Sequence, residues 1–345
     1  MGKLKDSSPR TRRWGLIVII EFLAIIIILP VIVIASRLSR IQSASVEDVN
    51  KKEIIINDID TKALKGYDNI ALFGLDTREG DLKKDSRSDS IIILSINHDS
   101  KMVKILSMYR DTCVRVPDYG LTKLNHAYAY GGAQLSMSTI NTNFDLNITE
   151  FASVDFGILA DIIDSIGGIE LEVSDAEFNL INPLIKEQNK VTGSSSPLLD
   201  GPGYQLLNGT QATAYSRIRK SDSDFKRAER QRIVLGKVFE KVKHSDVPTL
   251  LNVIDEILPK VYTNLTSIDL ISIAKDIASY NIADSQGFPF QVVTGSLAGD
   301  SLSYDFCDGF NDNVTQLHQY LFDNDEYTPS PTVQEIGDEI YLRRR

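Results

Sequence analysis

The longest apolar run in the chain extends from Gly15 to Ala35, GLIVIIEFLAIIIILPVIVIA. As a helix it is about long enough to cross roughly 30 Å of hydrocarbon. After it the pattern changes scale. Residues 37–65 are polar and mixed in charge, with no long apolar period, as a stalk would be. From Asn69 onward, short runs rich in β-branched and apolar residues at 70–73, 90–96 and 102–108 read as strands, the last two joined by the polar turn His98-Asp99-Ser100. A helix is expected over 132–143, a strand over 151–155, and a helix from Gly157 that Gly167-Gly168 can close. A further strand is expected at 169–173. Residues 178–206 carry the turn clusters Gly193-Ser194-Ser195-Ser196-Pro197 and Asp200-Gly201-Pro202-Gly203 and read as a loop that could form a mobile rim. Helical periodicity returns from Asn208, runs strongly over 224–243, and continues in pieces over 249–258 and 267–280. A strand at 290–294, a helix at 311–322 and a flexible, proline-containing tail at 323–345 complete the expectation.

Strands alternating with helices over this length predict an α/β fold, a layered α-β-α domain on a central mixed sheet, spanning 66–322. The apolar run sets its location. Lys3, Lys5, Arg10, Arg12 and Arg13 precede the run against the single acid Asp6, which keeps a tail of residues 1–13 in the cytoplasm. Residues 14–36 are then a single transmembrane signal anchor in the cell membrane, and the rest of the chain is extracytoplasmic. Cleavage after Ala35 is the competing reading, but the run exceeds the roughly 15 residues of a signal-peptide core.

The chain has a net charge of −10, and residues 41–345 hold 30 Lys and Arg against 45 Asp and Glu. An acidic exterior argues against broad affinity for nucleic acid or anionic lipid. Any local basic cluster therefore stands out. Cys113 and Cys307 can pair outside the cell or remain free; spacing does not decide.

Four segments place charge where a plain core has no use for it. Asp76 ends the first strand and Asp89 opens the second, and two carboxylates at such a rim can share Mg²⁺ with a substrate phosphate or be two solvated acids. Ser107-Met108-Tyr109-Arg110-Asp111 runs from a strand into an Arg-Asp pair. Lys123-Leu124-Asn125-His126 offers an amine and an amide near a helix start, where anions are favoured; His126 is read as a packed or capping residue before a general base. The fourth segment is Tyr215-Ser216-Arg217-Ile218-Arg219-Lys220 followed by Asp224 to Arg232. If 217–219 is extended, both arginines share one face, and on the next helix Asp224, Arg227 and Gln231 line one side. Planar guanidinium groups in such an array grip phosphate oxygens bidentately, although a solvated basic face would look the same.

The stretches DNIALFGLDTRE, SRSDSIIILSI, SMYRDTCV, KLNHAYAYGG, VDFGILADIIDSIGGIELEV, LLNGTQATAYSRIRK and DFKRAERQ, in this order, resemble those of the LytR-CpsA-Psr family of bacterial cell-envelope proteins. The resemblance covers about 66–322. It implies an Mg²⁺-aided phosphotransferase that moves a glycopolymer from an undecaprenyl-pyrophosphate carrier to a peptidoglycan acceptor, with an apolar pocket for the polyprenyl chain. By position it assigns Asp76 and Asp89 to the metal and Arg87, Arg110, Arg217, Arg219, Arg227 and Gln231 to the pyrophosphate. Lys123 and Asp224 support them, and Asp224 is also a candidate proton acceptor. Met108-Tyr109 stands where Ile-Pro is more usual, and Ser221-Asp222-Ser223 shortens the loop before Asp224; both bear on pocket shape. The alternatives are a polyprenyl-pyrophosphate hydrolase and a non-catalytic lipid-pyrophosphate-binding regulator of envelope assembly. A tail of 13 residues is too short to read DNA directly. The transferred polymer, whether teichoic acid, capsule or another polysaccharide, is not encoded in these motifs.

Overall fold

The computed structural model describes residues 42–43, 48–76, 82–83, 86–219 and 224–345. The expected cytoplasmic tail and membrane span lie outside these residues. Among the described residues, no helix is long and apolar enough to cross a membrane.

The strands are β1 (Gln42–Ser43), β2 (Tyr67–Leu75), β3 (Ser88–Asn97), β4 (Met102–Met108), β5 (Cys113–Val116), β6 (Gly120–Lys123), β7 (Glu150–Asp155), β8 (Ile169–Val173), β9 (Gly203–Leu207), β10 (Tyr262–Thr263), β11 (Asn281–Phe288), β12 (Val292–Gly295) and β13 (Tyr304–Cys307). The helices are α1 (His126–Phe144), α2 (Phe156–Ser165), α3 (Asp175–Thr192), α4 (Gly209–Ser216), α5 (Asp224–Lys243), α6 (Val247–Glu256), α7 (Ser267–Asp276), α8 (Phe310–Phe322) and α9 (Pro331–Arg343). Seven strands form the central sheet in the order β1-β10-β7-β2-β3-β4-β11. The sheet is mixed. β2, β3 and β4 run antiparallel, whereas β7 joins β2 and β11 joins β4 in parallel.

Because side chains alternate across a strand, the sheet buries both faces. Ala71, Phe73, Ile91, Ile93 and Leu106 point into a core shared with Met137 and Ile140 of α1, Leu317 and Leu321 of α8, and Val333 and Ile336 of α9. Ile70, Ile96 and Val103 face the opposite way, toward Leu265, Tyr280 and the half-buried Phe239 of α5 and Leu270 of α7. A third cluster joins α2, α3, α4 and α5 to the antiparallel pair of β8 and β9. The three layers match the expected fold class. Gly209 lets α4 approach α2: a Cβ there would sit 2.0 Å from the Ala160 carbonyl oxygen.

Several elements differ from the sequence expectation. Residues 178–206 are not one loop. α3 occupies most of them, starting in a capping box between Ser174 and Glu177 and stopping at Gly193, which is left-handed at φ 71°. Pro183 inside the helix and the turn clusters after it hid that pattern. α1 begins at His126 and not near 132, with non-helical angles at Gly131 and Gly132. β11 went unpredicted because it is a largely exposed, polar edge strand without apolar alternation. The tail at 323–345 is not flexible: α9 buries Val333, Ile336 and Ile340. Part of the stalk also belongs to the domain, since Val49, Ile54 and Leu64 enter the main core. Cys113 and Cys307 are free, buried thiols, and burial pushes Cys113 up to about 12.

Candidate active site

The site is assembled at one end of the central sheet by strand register. β2 and β3 pair Leu75 with Ser88 after a bulge at Gly74, so Asp76 and Asp89 leave neighbouring strand ends. β3 and β4 pair Ile91 with Met108. Continuing that antiparallel register by two residues each way brings Asp89 opposite Arg110. Nη1 of Arg110 donates to Oδ1 of Asp89 at 2.8 Å.

Two further arginines converge on Asp89 from helices. Arg219, beyond the end of α4, donates through Nη2 to Asp89 Oδ2 at 2.9 Å. Arg227, on the first turns of α5, donates through Nη2 to the Asp89 backbone carbonyl at 3.1 Å. Burial would raise the Asp89 carboxyl, but the Arg110 guanidinium, with Arg227 and Arg219, outweighs it and holds the pKa below the usual carboxylate range. Asp224 accepts from Nε and Nη2 of Arg110 at 3.2 and 3.0 Å and lies 3.3 Å from Nη1 of Arg227. Its geometry suits fixing Arg110.

Arg227 is the least satisfied of these groups. It is 4% exposed, and its Nε and Nη1 are buried with no hydrogen-bond partner. Burial, then repulsion from Arg110, lowers its pKa to about 10. Asp224, 3.3 Å from Nη1, balances the charge but leaves Nε and Nη1 without a hydrogen bond, and these suit an anion.

Arg217 is not in a strand; it caps α4 in a helical conformation, and buried Ile218 separates it from Arg219. The expected pairing of the two guanidinium groups on one side nonetheless holds, because both line the same cavity of about 390 Å³. Arg217 is anchored to α3 by Gln188 Oε1 at 2.8 Å and Glu187 Oε1 at 3.2 Å. Asp76, Asp89, Arg227 and Gln231 line this cavity too, with Leu180 and Leu184 of α3 opposite. Asp224, Arg227 and Gln231 all border a smaller space that also contains Arg110, as their helical spacing predicts. Phe156 and Gln231 connect the main cavity to an apolar one lined by Leu72, Ile92, Leu159 and Val234, between the sheet and α2 and α5.

The other expected residues lie to one side. Lys123 Nζ is 3.1 Å from Asp111 Oδ1, behind Arg110. Arg87 is exposed and does not line the cavity; its charge, with that of Lys123, adds to burial in lowering the pKa of His126. His126 is packed, 2.8 Å from Thr122 Oγ1 through Nδ1. Sequence reasoning missed Asp305 on β13, which borders the Arg110 space. Burial, then the charges of Asp111 and Asp224, raises its pKa. The only signal was an acid inside a short apolar strand, YDFC. Among the described residues no group of three or more His, Cys, Asp or Glu could hold a metal. Asp76 and Asp89 do face one cavity beside the arginines, and two carboxylates fit Mg²⁺ whose remaining ligands are substrate phosphate and water.

The chain is similar in sequence and in fold to known proteins. The chain is 30% identical over 233 residues to the polyisoprenyl-teichoic acid–peptidoglycan teichoic acid transferase TagT of Bacillus subtilis, covering 65% of this chain and 70% of that protein. It is 30% identical over 239 residues to TagU of Enterococcus faecalis, a transferase of the same designation, covering 68% and 72%. The fold matches the crystal structure of Bacillus subtilis TagT, with a TM-score of 0.58 at 24% identity over 82% of this chain and all of that one. It also matches the TagT structure with bound octaprenyl pyrophosphate lipid, with a TM-score of 0.56 at 22% identity over 80% and 99%. The LytR_cpsA_psr family model matches residues 32–309, and the chain therefore belongs to the LytR-CpsA-Psr family.

Proposed function

We propose that the protein transfers a phosphoglycosyl polymer from a polyprenyl-pyrophosphate carrier to peptidoglycan, a reading supported by its TagT and TagU relatives, which are named polyisoprenyl-teichoic acid–peptidoglycan teichoic acid transferases. The observation that carries this reading is the buried Arg227 guanidinium beside Arg110 and Arg219, with Nε and Nη1 making no hydrogen bond, in a cavity that shares Phe156 and Gln231 with an apolar one. Such a site suits a ligand with a diphosphate head and an isoprenoid tail. Arg217, Arg219 and Arg227 would grip the diphosphate oxygens, and Leu72, Ile92, Leu159 and Val234 would receive the first isoprene units. The relative with bound octaprenyl pyrophosphate supports the same head-and-tail chemistry.

In this reading an acceptor hydroxyl attacks the sugar-side phosphorus and the lipid monophosphate leaves. Arg110, positioned by Asp89 and Asp224, faces the developing phosphoryl charge, and Arg219 and Arg227 face the leaving phosphate. Preorganised positive charge of this kind is the main contribution a protein makes to phosphoryl transfer. Asp76 and Asp89 would hold Mg²⁺, which when bound supplies further neutralisation of phosphate charge. Residues 14–36 would tether the domain outside the cell membrane, where lipid carrier and wall meet. Which polymer is transferred would be set at α3, which lines the cavity.

The test is transfer from a synthetic polyprenyl-pyrophosphate glycan by the full-length protein in detergent, with Mg²⁺ or EDTA and with peptidoglycan oligomers. Transfer that needs metal and is lost in Asp89→Ala and Arg110→Ala is expected. Hydrolysis without transfer would instead make the protein a pyrophosphatase. Tight lipid binding with no turnover would leave it a binding protein.

A further inference from the structure

Tyr119 and Tyr130 stack on each other at the surface, with ring centroids 4.5 Å apart and planes 19° from parallel. They are 55% and 43% exposed. Exposed aromatic rings usually gain little from such a fixed arrangement, yet both are held from below. Tyr119 sits in the turn of the β5–β6 hairpin, between Asp118 and Gly120 at φ 65° and 77°, with its amide donating to the Val116 carbonyl at 3.0 Å. Tyr130 closes the first turn of α1. That turn is fastened by the Tyr128 hydroxyl, which donates to the Leu82 carbonyl at 2.6 Å and lies 2.8 Å from Ser153 Oγ. It is then set off from the rest of the helix by the break at Gly131 and Gly132. Gly132 has φ 62°, and a Cβ on it would stand 2.5 Å from the Lys83 carbonyl oxygen. The ring pair is thus preorganised.

Its place beside the site is traceable contact by contact. The Tyr130 ring is 5.8 Å from that of His126, which feels the charges of Arg87 and Lys123. Lys123 pairs with Asp111, 3.9 Å from Arg110 Nε, and the Asn125 amide donates to the Arg110 carbonyl at 3.0 Å. Neither tyrosine lines the phosphate cavity or the apolar cavity. In an in-line phosphoryl transfer the attacking group enters opposite the leaving group. If the lipid phosphate leaves toward the apolar cavity, the hydroxyl must arrive over a different part of the rim.

We propose that Tyr119 and Tyr130 form a subsite for a pyranose ring of the acceptor glycan, an inference that rests on the transferase reading. A pyranose presents an apolar C–H face bordered by hydroxyls, and a tyrosine presents an apolar ring ending in a hydroxyl. An outer ring face of the stack can cover one sugar ring while the second ring backs it, and the rigidity of the pair keeps the ordering cost of binding low. The exposed Arg87 guanidinium on the same rim suits an acceptor that carries carboxylates.

The experiment uses the full-length protein in detergent with a soluble peptidoglycan glycan oligomer as the probe. Binding of the oligomer is measured by saturation-transfer NMR, and acceptor and donor KM are measured in the transfer assay. Tyr119→Ala and Tyr130→Ala should each weaken oligomer binding and raise acceptor KM by about tenfold. Donor KM should be unchanged, and Tyr130→Phe, which keeps the ring, should bind the oligomer nearly as well as the wild type. Unchanged oligomer binding in both Ala variants, with their melting temperatures preserved, would overturn the proposal, as would a rise in donor KM alone. If the wild type binds the oligomer through these rings but transfers nothing, the subsite stands and the transferase reading fails. If both Ala variants transfer with acceptor KM unchanged, the transferase reading stands and the subsite fails.

Discussion

Arg110 donates to Asp224 twice, through Nε at 3.2 Å and Nη2 at 3.0 Å, and keeps Nη1 for Asp89 at 2.8 Å. One guanidinium thereby bridges the start of β3 to the start of α5. Only a planar fork can make these three contacts together.

Replacing the fork by a point charge is therefore expected to be nearly as harmful as deleting it. Arg110→Lys should lower turnover about 10²–10³-fold, the typical loss for one preorganised donor. Single-turnover transfer with saturating donor measures it. Near-normal turnover would show that charge alone suffices and that the fork geometry is incidental.

Asp305 gives a pH-dependent prediction. Burial, then Asp111 and Asp224, raises its folded-state pKa above the ordinary 3.8. A raised carboxyl pKa means that the folded state holds the proton more tightly than the unfolded one. The penalty is absent below pH 3.8 and complete above the folded pKa. Asp305→Asn should therefore melt higher than the wild type at pH 7, and the difference should shrink toward zero as the pH falls to 3.8. Paired melting curves across that range provide the check; a difference independent of pH would contradict the assignment.

Gly209 is where α4 meets α2, with no room for a methyl group. Gly209→Ala should cost about 1–3 kcal/mol, the usual scale of overpacking. Because α4 leads directly into Arg217 and Arg219, displacement of the helix should also raise donor KM. Denaturant midpoints and donor titrations measure the two effects, and a stable variant with normal donor KM would show that the helices can slide apart freely.

The chain's periodicity alone was enough for the layered α/β class, for the strands β2, β3, β4, β7, β8 and β12, and for the helical face that carries Asp224, Arg227 and Gln231. Strand-end chemistry at Asp76, Asp89 and Arg110 was legible as well, since residues leaving adjacent strands must come near one another. What periodicity could not supply was any element whose stability comes from its surroundings. α9 and β11 are amphipathic or polar segments that become regular only against the core or the edge of β4. Tertiary structure also separated the basic residues that looked alike in the sequence. Arg227 and Arg230 are three residues apart on one helix, yet Arg230 donates to Glu177 at 2.8 Å whereas Arg227, 3.3 Å from Asp224, leaves Nε and Nη1 without a hydrogen bond. Arg87, close to Asp89 in the chain, does not line the cavity, and its charge helps lower the pKa of His126. Sequence determines which side chains carry charge; whether a charge is already satisfied or still needs a partner depends on neighbours that only the folded chain brings within a few ångströms.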